Sequence, residues 1–351
     1  MSTTRTCRCS LDGEPSGTIT TTTTEEADDE SSDQSTQQSM EPVCCYESSN
    51  TSCPRTIYPI HLRGALYIIF GIIIVLTVCG NLLVTFSVAY FKQLHTPTNY
   101  LIVSLAVSDL LVGLLVMFPS MIRTIESCWY FGDFFYKVHM SSNVTLCTAS
   151  ILNLLSISVD RYYAVCQPLL YRSRISVNVV LIMILLTWSV SVFLGFGMTF
   201  LKLNIWGVYS GPSGVLSSLL AFYMPGVIML AVYLKVLLVA QKQFRSIQRA
   251  GCVSSVKTSS QTKATKTLAV VMGAFLSFWT PFFVCYVIDP FTGYSTPPQL
   301  FEVLMWLGYL NSTVNPVIYA FFYRWFRKAF QLLTSGDIFK SDMSETTLFT
   351  E

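Results

Sequence analysis

Charge is what this 351-residue chain most conspicuously lacks: 12% of its residues are charged and 52% are hydrophobic. Soluble domains carry roughly 25% charged residues, so an ordinary water-soluble fold is excluded. The mean hydropathy of +0.52 agrees. No positively charged start followed by an apolar run occurs, so no cleaved signal peptide is expected. No internal repeat is evident, and no nucleophile, base or metal cluster assembles, which argues against an enzyme. The net charge of +2 is uninformative by itself, and no nucleic-acid partner is expected.

What remains is a polar leader and then a series of apolar runs. Residues 1–58 contain the Thr18–Thr24 run, the acidic Glu25–Glu30 stretch and the Ser/Gln-rich Ser31–Ser39, a composition that cannot bury a core. Asn50-Thr51-Ser52 is a glycosylation sequon. Residues 59–323 then hold seven candidate spans, at Gly64–Phe91, Thr98–Met121, Val138–Val159, Ser176–Thr199, Gly214–Ala240, Thr265–Ile288 and Leu300–Tyr323. Each is close to the ~20 residues that a helix needs to cross a bilayer. Residues 324–351 open with Arg324-Trp325-Phe326-Arg327-Lys328-Ala329-Phe330, a cationic and aromatic pattern suited to a short helix lying on the membrane surface. The expected fold is an all-α membrane protein: a seven-helix bundle with a short amphipathic eighth helix.

Lys and Arg set the orientation. The loops after spans one, three and five, and the tail, carry Lys92, Arg172, Arg174, Lys235, Lys242, Arg245, Arg249, Lys257, Lys263, Lys266, Arg324, Arg327 and Lys328. The opposite side carries only Arg55, Arg63, Arg123, Lys137 and Lys202 near the spans. By the positive-inside rule the N-terminus lies outside and the tail in the cytoplasm. A multi-pass protein of the plasma membrane is expected.

Asp109 interrupts the second span, where a charge costs at least ~2.5 kcal/mol. It needs partners, and Asn81, Ser150, Asn311, Ser312 and Asn315 lie at matching depth. Oxygen ligands around one carboxylate suit a small hard cation such as Na⁺; a neutral hydrogen-bonded aspartic acid fits the same residues. Pro119, Pro225, Pro281 and Pro316 each break a backbone hydrogen bond within a span. Beside Pro281, Trp279, Phe282 and Phe283 share one side of a helix, and Trp306 and Tyr309 could close the same cavity. Such a stripe reads as core or as the wall of a binding pocket.

Taken in order, one set of motifs falls on each span. They are Gly80-Asn81; Leu105-Ala106 with Asp109; Asp160-Arg161-Tyr162; Trp188; Pro225 with Tyr233; Phe275 with Trp279-Thr280-Pro281; and Asn315-Pro316-Val317-Ile318-Tyr319. The chain thereby resembles the rhodopsin-like G-protein-coupled receptors over residues 60–335. Within them it is most similar to the trace amine-associated receptors, through Cys45-Tyr46-Glu47, Asn50-Thr51-Ser52-Cys53, Cys128–Asp133, Asp160–Pro168 and Asn311–Phe330.

The resemblance implies roles. Asp160 would hold Arg161 at rest and release it to a heterotrimeric G protein, of the stimulatory type that raises cyclic AMP. Tyr162, Tyr233 and Tyr319 would belong to the same switch, and Trp279 would couple pocket occupancy to movement of span six. Asp109, Ser150, Asn311, Ser312 and Asn315 would form an allosteric Na⁺ site; no other cofactor is implied. A small molecule, an amine in this family, would bind near Asn143, Trp279, Phe282, Phe283, Trp306 and Tyr309.

Two positions depart from the family. Asn143 stands where amine receptors of this kind place the aspartate that pairs with the ligand ammonium, and Glu302 or Asp289 could supply only a more distant anion. The sequon Asn143-Val144-Thr145 lies inside a span, where no glycan is expected. Tyr136 stands where a disulfide cysteine is usual, and Lys202–Ser213 lacks the cysteine that would pair with it. A bridge from Cys44, Cys45 or Cys53 to Cys128 is one way to restrain the outer face. Cys79, Cys147, Cys166, Cys252 and Cys285 are expected as thiols. Ser217 and Ser218 either face the pocket or bond their own helix. The competing expectation is a divergent receptor that no longer binds amines and serves as an orphan or dimer partner; a transporter would need more ionisable residues along its path than Asp109.

Overall fold

A computed structural model of the chain describes residues 58–127, 129–197, 200, 222–249, 255–293 and 295–334. Asn50, Cys44, Cys45, Cys53, Cys128, Lys202–Ser213, Ser217, Ser218, Cys252 and the tail beyond 334 lie outside these residues. Regular structure among the described residues is helical throughout: α1 (Ile60–Tyr90), α2 (Pro97–Leu111), α3 (Phe118–Glu126), α4 (Gly132–Cys166), α5 (Pro168–Arg174), α6 (Val177–Val192), α7 (Met224–Arg249), α8 (Ser255–Ile288), α9 (Pro298–Phe322) and α10 (Arg324–Thr334). A π-helical turn, Val112–Met117, joins α2 to α3 as one continuous span. A second, Phe193–Gly197, ends α6.

The helices outrun the apolar stretches that announce them. At 1.5 Å per residue the 35-residue α4 is roughly 52 Å long, well beyond a ~30 Å hydrocarbon core. Asp160 and Arg161 therefore lie within the helix, and Arg63 lies inside α1. Five of the helical spans are long and apolar enough to cross a membrane. Met224–Val239 is a shorter apolar helix. The 25-residue α9 is long enough but is diluted by buried Asn311, Ser312, Thr313 and Asn315. Its polar side chains face the other helices, where they are needed.

Local chemistry fixes the ends. Thr96 caps α2, its Oγ1 accepting from the Asn99 amide at 3.3 Å, with Pro97 in the first turn. Ser176 caps α6 in the same way through Val179 at 3.4 Å. Arg327 folds back on the end of α9, donating to the Ala320 and Phe321 carbonyls at 2.8 and 2.9 Å. Trp325, Phe326 and Ala329 bury the inner face of α10 against the bundle. The seven-residue α5 between α4 and α6 was not signalled by the apolar runs.

The axis of the bundle is α4, which packs against α2, α6, α7 and α8. Its close approach to α6 depends on Gly195, where a Cβ would collide with the Thr145 hydroxyl and come within 2.5 Å of the Ser141 carbonyl. Large apolar side chains such as Leu105, Leu154, Met229 and Phe275 fill the interior, while Ile68, Ile72, Leu181, Leu185 and Val227 stay exposed on the outer surface. In a bilayer that outer surface faces lipid tails.

Candidate functional site

The structure brings three groups of side chains together along α4. The middle one is polar. Asp109 is fully buried; its Oδ1 accepts from Ser312 at 2.8 Å and Ser150 at 3.3 Å, and its Oδ2 accepts from Asn315 Nδ2 at 2.7 Å. Ser108, not anticipated from the sequence, lies 3.1 Å from Ser150. Asn81 ties α1 to this cluster by donating to the Ser312 carbonyl at 3.0 Å. Asn311 is buried beside them without bonding Asp109. The side-chain carbonyl oxygens of Asn81, Asn311 and Asn315 are buried and accept no hydrogen bond. A buried carboxylate with unused oxygen acceptors close by is chemistry that fits a hard cation.

The second group lies toward the Arg161 end. Asp160 is fully buried and holds Arg161 through Nε at 2.8 Å and Nη2 at 2.5 Å. Two further hydroxyls complete the clasp. Tyr171 of α5 donates to Asp160 Oδ1 at 2.9 Å, and Thr98 of α2 donates to Oδ2 at 2.9 Å. Arg161 Nη2 also bonds the Thr98 hydroxyl. Burial raises the Tyr171 phenol above its ordinary value, so it stays a donor. Sequence reasoning missed Thr98 and Tyr171, since nothing in a linear pattern says that α5 folds back onto α4.

The remaining switch residues divide. Tyr319 is buried, meets Tyr323 edge-on at 5.8 Å and shares with Arg161 the wall of a small cavity lined also by Thr98, Ile157, Thr267 and Val271. Tyr162 turns away, with the Lys235 ammonium 5.2 Å above its ring. Tyr233 is half-buried on α7 and makes no hydrogen bond to Arg161. Leu169, at the start of α5, is 95% exposed beside this clasp, an apolar side chain with nothing among the described residues to cover it.

The third group lies toward the Glu126 end. Trp306, Tyr309, Trp279, Phe282 and Phe283 form one aromatic chain. Tyr309 is 5.7 Å from Trp306 and 6.3 Å from Trp279; Trp279 is 6.1 Å from Phe282 and 5.9 Å from Phe283. Phe222, unanticipated, stacks on Phe283 at 4.0 Å. Asn143 joins this chain through no hydrogen bond; its Oδ1 accepts from the Cys147 thiol at 3.4 Å. The distant carboxylates are both engaged. Glu302 pairs with Arg123 at 2.8 Å, and Asp289 accepts from the Thr296 amide at 3.0 Å. Tyr136 packs edge-on against Trp129 at 5.5 Å, within a set that includes Phe131, Phe135 and His139. Cys79, Cys147, Cys166 and Cys285 are unpaired thiols.

Comparison with known proteins places this geometry. The profile described as 7 transmembrane receptor (rhodopsin family) matches residues 80–319. Trace amine-associated receptor 1 of Macaca mulatta is 47% identical over 332 residues, covering 88% of this chain and 98% of that receptor. Trace amine-associated receptor 4 of Rattus norvegicus is 46% identical over 334 residues, covering 88% and 96%. Trace amine-associated receptor 1 of Homo sapiens is 46% identical over 332 residues, with 88% and 98% covered. The protein is thus a seven-transmembrane receptor of the rhodopsin family, and within that family it belongs with the trace amine-associated receptors.

Proposed function

We propose that this receptor senses a small amino compound from outside the cell and activates a heterotrimeric G protein of the stimulatory type, raising cyclic AMP. The observation that carries the reading is the clasp on Arg161. A guanidinium is held by one fully buried carboxylate and the Thr98 hydroxyl, with the Tyr171 hydroxyl anchoring that carboxylate, beside a cavity and next to the exposed Leu169. A held charge at the mouth of a cavity is a two-state element, and a partner that engages Arg161 would bias it. Ligand and G protein would then strengthen each other's binding, as linkage requires. With the N-terminus outside, the Glu126 end faces the ligand and the Arg161 end faces the cytoplasm, in keeping with the basic loops at that end.

The Asp109 cluster is assigned as an allosteric Na⁺ site. Asp109 supplies the charge, and Ser150, Ser312, Asn311 and Asn315 supply neutral oxygens. An ion there would weight the balance between the two states from the centre of the bundle. The intact clasp and the intact Asp109 cluster speak against a silent dimer partner, because neither is needed for packing alone.

The deciding experiment measures cyclic AMP in cells displaying the epitope-tagged receptor, with and without Arg161→Ala, at matched surface levels. Wild type should raise cyclic AMP, either basally or on stimulation by a small amino compound, and Arg161→Ala should not. Surface-displayed wild type that leaves cyclic AMP unchanged under both conditions overturns the coupling.

A further inference from the structure

At the Glu126 end, one ion pair has no part in the switch. Arg123 on α3 meets Glu302 on α9 at 2.8 Å, with side chains 13% and 28% exposed. Glu302, Met305, Trp306 and Tyr309 follow the i, i+3, i+4, i+7 spacing and so share one face of α9. Thr124 links the two helices again, donating to Glu302 Oε2 at 2.7 Å and accepting from Trp306 Nε1 at 3.0 Å. Trp306 in turn stacks on Phe70 at 4.0 Å.

The pair is under-used. Arg123 Nε is buried and donates to nothing, and the other contact of Nη2 is the weak acceptor Met305 Sδ at 3.7 Å. A guanidinium is a planar fork suited to two parallel bonds with a carboxylate. Each carboxylate oxygen of Glu302 can accept more than the one bond it has. Both signs of charge thus retain unused bonding capacity beside an aromatic wall.

Charge balance selects among ligands. An ammonium near Asn143 meets a neutral amide, Glu126 is paired with Arg63 at 2.5 Å and bonded by Tyr67 at 2.9 Å, and Asp289 is only 8% exposed, against 28% for the Glu302 side chain. A lone cation drawn to Glu302 would sit against the Arg123 charge, and a lone anion drawn to Arg123 would sit against Glu302. A molecule carrying both charges adds none to the pair and offers each member its opposite. We infer that the ligand is a small aromatic zwitterion, an aromatic amino acid or close analogue, with its carboxylate on Arg123 and its ammonium on Glu302. Its ring would lie along Trp306 and Tyr309. The inference deepens the receptor reading and rests on it for the location of the pocket.

The test is direct binding to purified full-length receptor in lipid nanodiscs, without G protein. Three probes share a phenyl ring: phenylalanine (both charges), phenethylamine (cation) and 3-phenylpropionate (anion). Phenylalanine should bind at least about tenfold tighter than either single-charge probe, a difference of ~1.4 kcal/mol. Arg123→Gln should turn the preference to phenethylamine, and Glu302→Gln should turn it to 3-phenylpropionate; a gain of binding cannot come from misfolding. Equal or tighter wild-type binding of a single-charge probe, no binding of any probe, or folded variants that fail to invert the preference each overturn the inference. The wild-type ranking decides alone if a variant does not fold. Because no coupling enters this measurement, intact binding with absent cyclic AMP would sink the signalling reading and leave this one standing.

Discussion

Gly308 lies so close to Trp279 that a Cβ at position 308 would come within 2.8 Å of the indole Cε3 and Cζ3 atoms. The contact joins α9 to α8 two residues before Pro281, where Trp279 is almost wholly buried. Any movement of the indole is therefore felt by α9. Gly308→Ala should force the ring to shift, at a cost of about 1–3 kcal/mol for overpacking. Expected outcomes are a lower melting temperature and a changed basal cyclic AMP level at equal surface expression. An alanine variant that leaves both untouched would show that this contact does not govern the switch.

The clasp on Arg161 predicts a gain of signal. Tyr171→Phe deletes a hydrogen bond to a fully buried carboxylate while keeping the ring, and such bonds to charged groups contribute ~1.5–3 kcal/mol. If the bond exists mainly in the resting state, its loss shifts the two-state ratio by about tenfold or more. Basal cyclic AMP should rise, and Tyr171→Phe combined with Arg161→Ala should return it to background. A reduced basal level in the single variant would place the bond in the active state instead.

Tyr136 gives a prediction about stability. Where relatives of this kind are expected to carry a disulfide cysteine, this chain sets a ring edge-on to Trp129 at 5.5 Å. Aromatic pairs contribute ~0.5–1.5 kcal/mol beyond the area they bury. Tyr136→Ala should lower the melting temperature of the purified receptor, whereas Tyr136→Phe should retain most of it. If alanine matches wild type, the Gly132 end of α4 is held by other contacts.

How much of this was legible in the sequence depended on the kind of force. Asp109 announced its partners because a carboxylate inside a membrane must be matched, and Ser150, Ser312 and Asn315 are where that requirement put them. Asp160 and Arg161 were found through the motif they share with a family. Thr98, Tyr171 and the Arg123–Glu302 pair were not found, because each contact depends on how distant helices rotate against one another. The π turn Val112–Met117 is a case in point: it resets the face of α3, and so the direction of Arg123, without altering the apolar pattern. Tyr233 was grouped with the switch by resemblance, and in this conformation it makes no hydrogen bond to Arg161.

The Asp109 cluster predicts a specific salt effect. A ligand that binds the folded state alone stabilises it by an amount that grows with its concentration. Raising NaCl while choline chloride holds ionic strength constant should raise the melting temperature of wild type. Asp109→Asn keeps the size and loses the charge, so its melting should no longer respond to Na⁺. Equal responses of the two proteins would assign the cluster to structural hydrogen bonding only.

Asn143→Asp separates the pocket floor from its rim. In wild type the side chain is neutral and its carbonyl accepts from Cys147 at 3.4 Å, so an ammonium there finds no counter-charge. An aspartate at the same place would supply one. Hydrogen bonds to charged groups contribute ~1.5–3 kcal/mol against ~0.5–1.5 for neutral pairs, a difference of about tenfold in affinity. Asn143→Asp should therefore make phenethylamine an effective agonist in the cyclic AMP assay. It should do so without removing phenylalanine binding at Arg123 and Glu302, because that pair lies on α3 and α9 rather than α4. A new amine response with phenylalanine binding retained would show that rim and floor recognise ligands independently. An unchanged amine response would mean that the ligand does not descend as far as Asn143, and that recognition is confined to the rim.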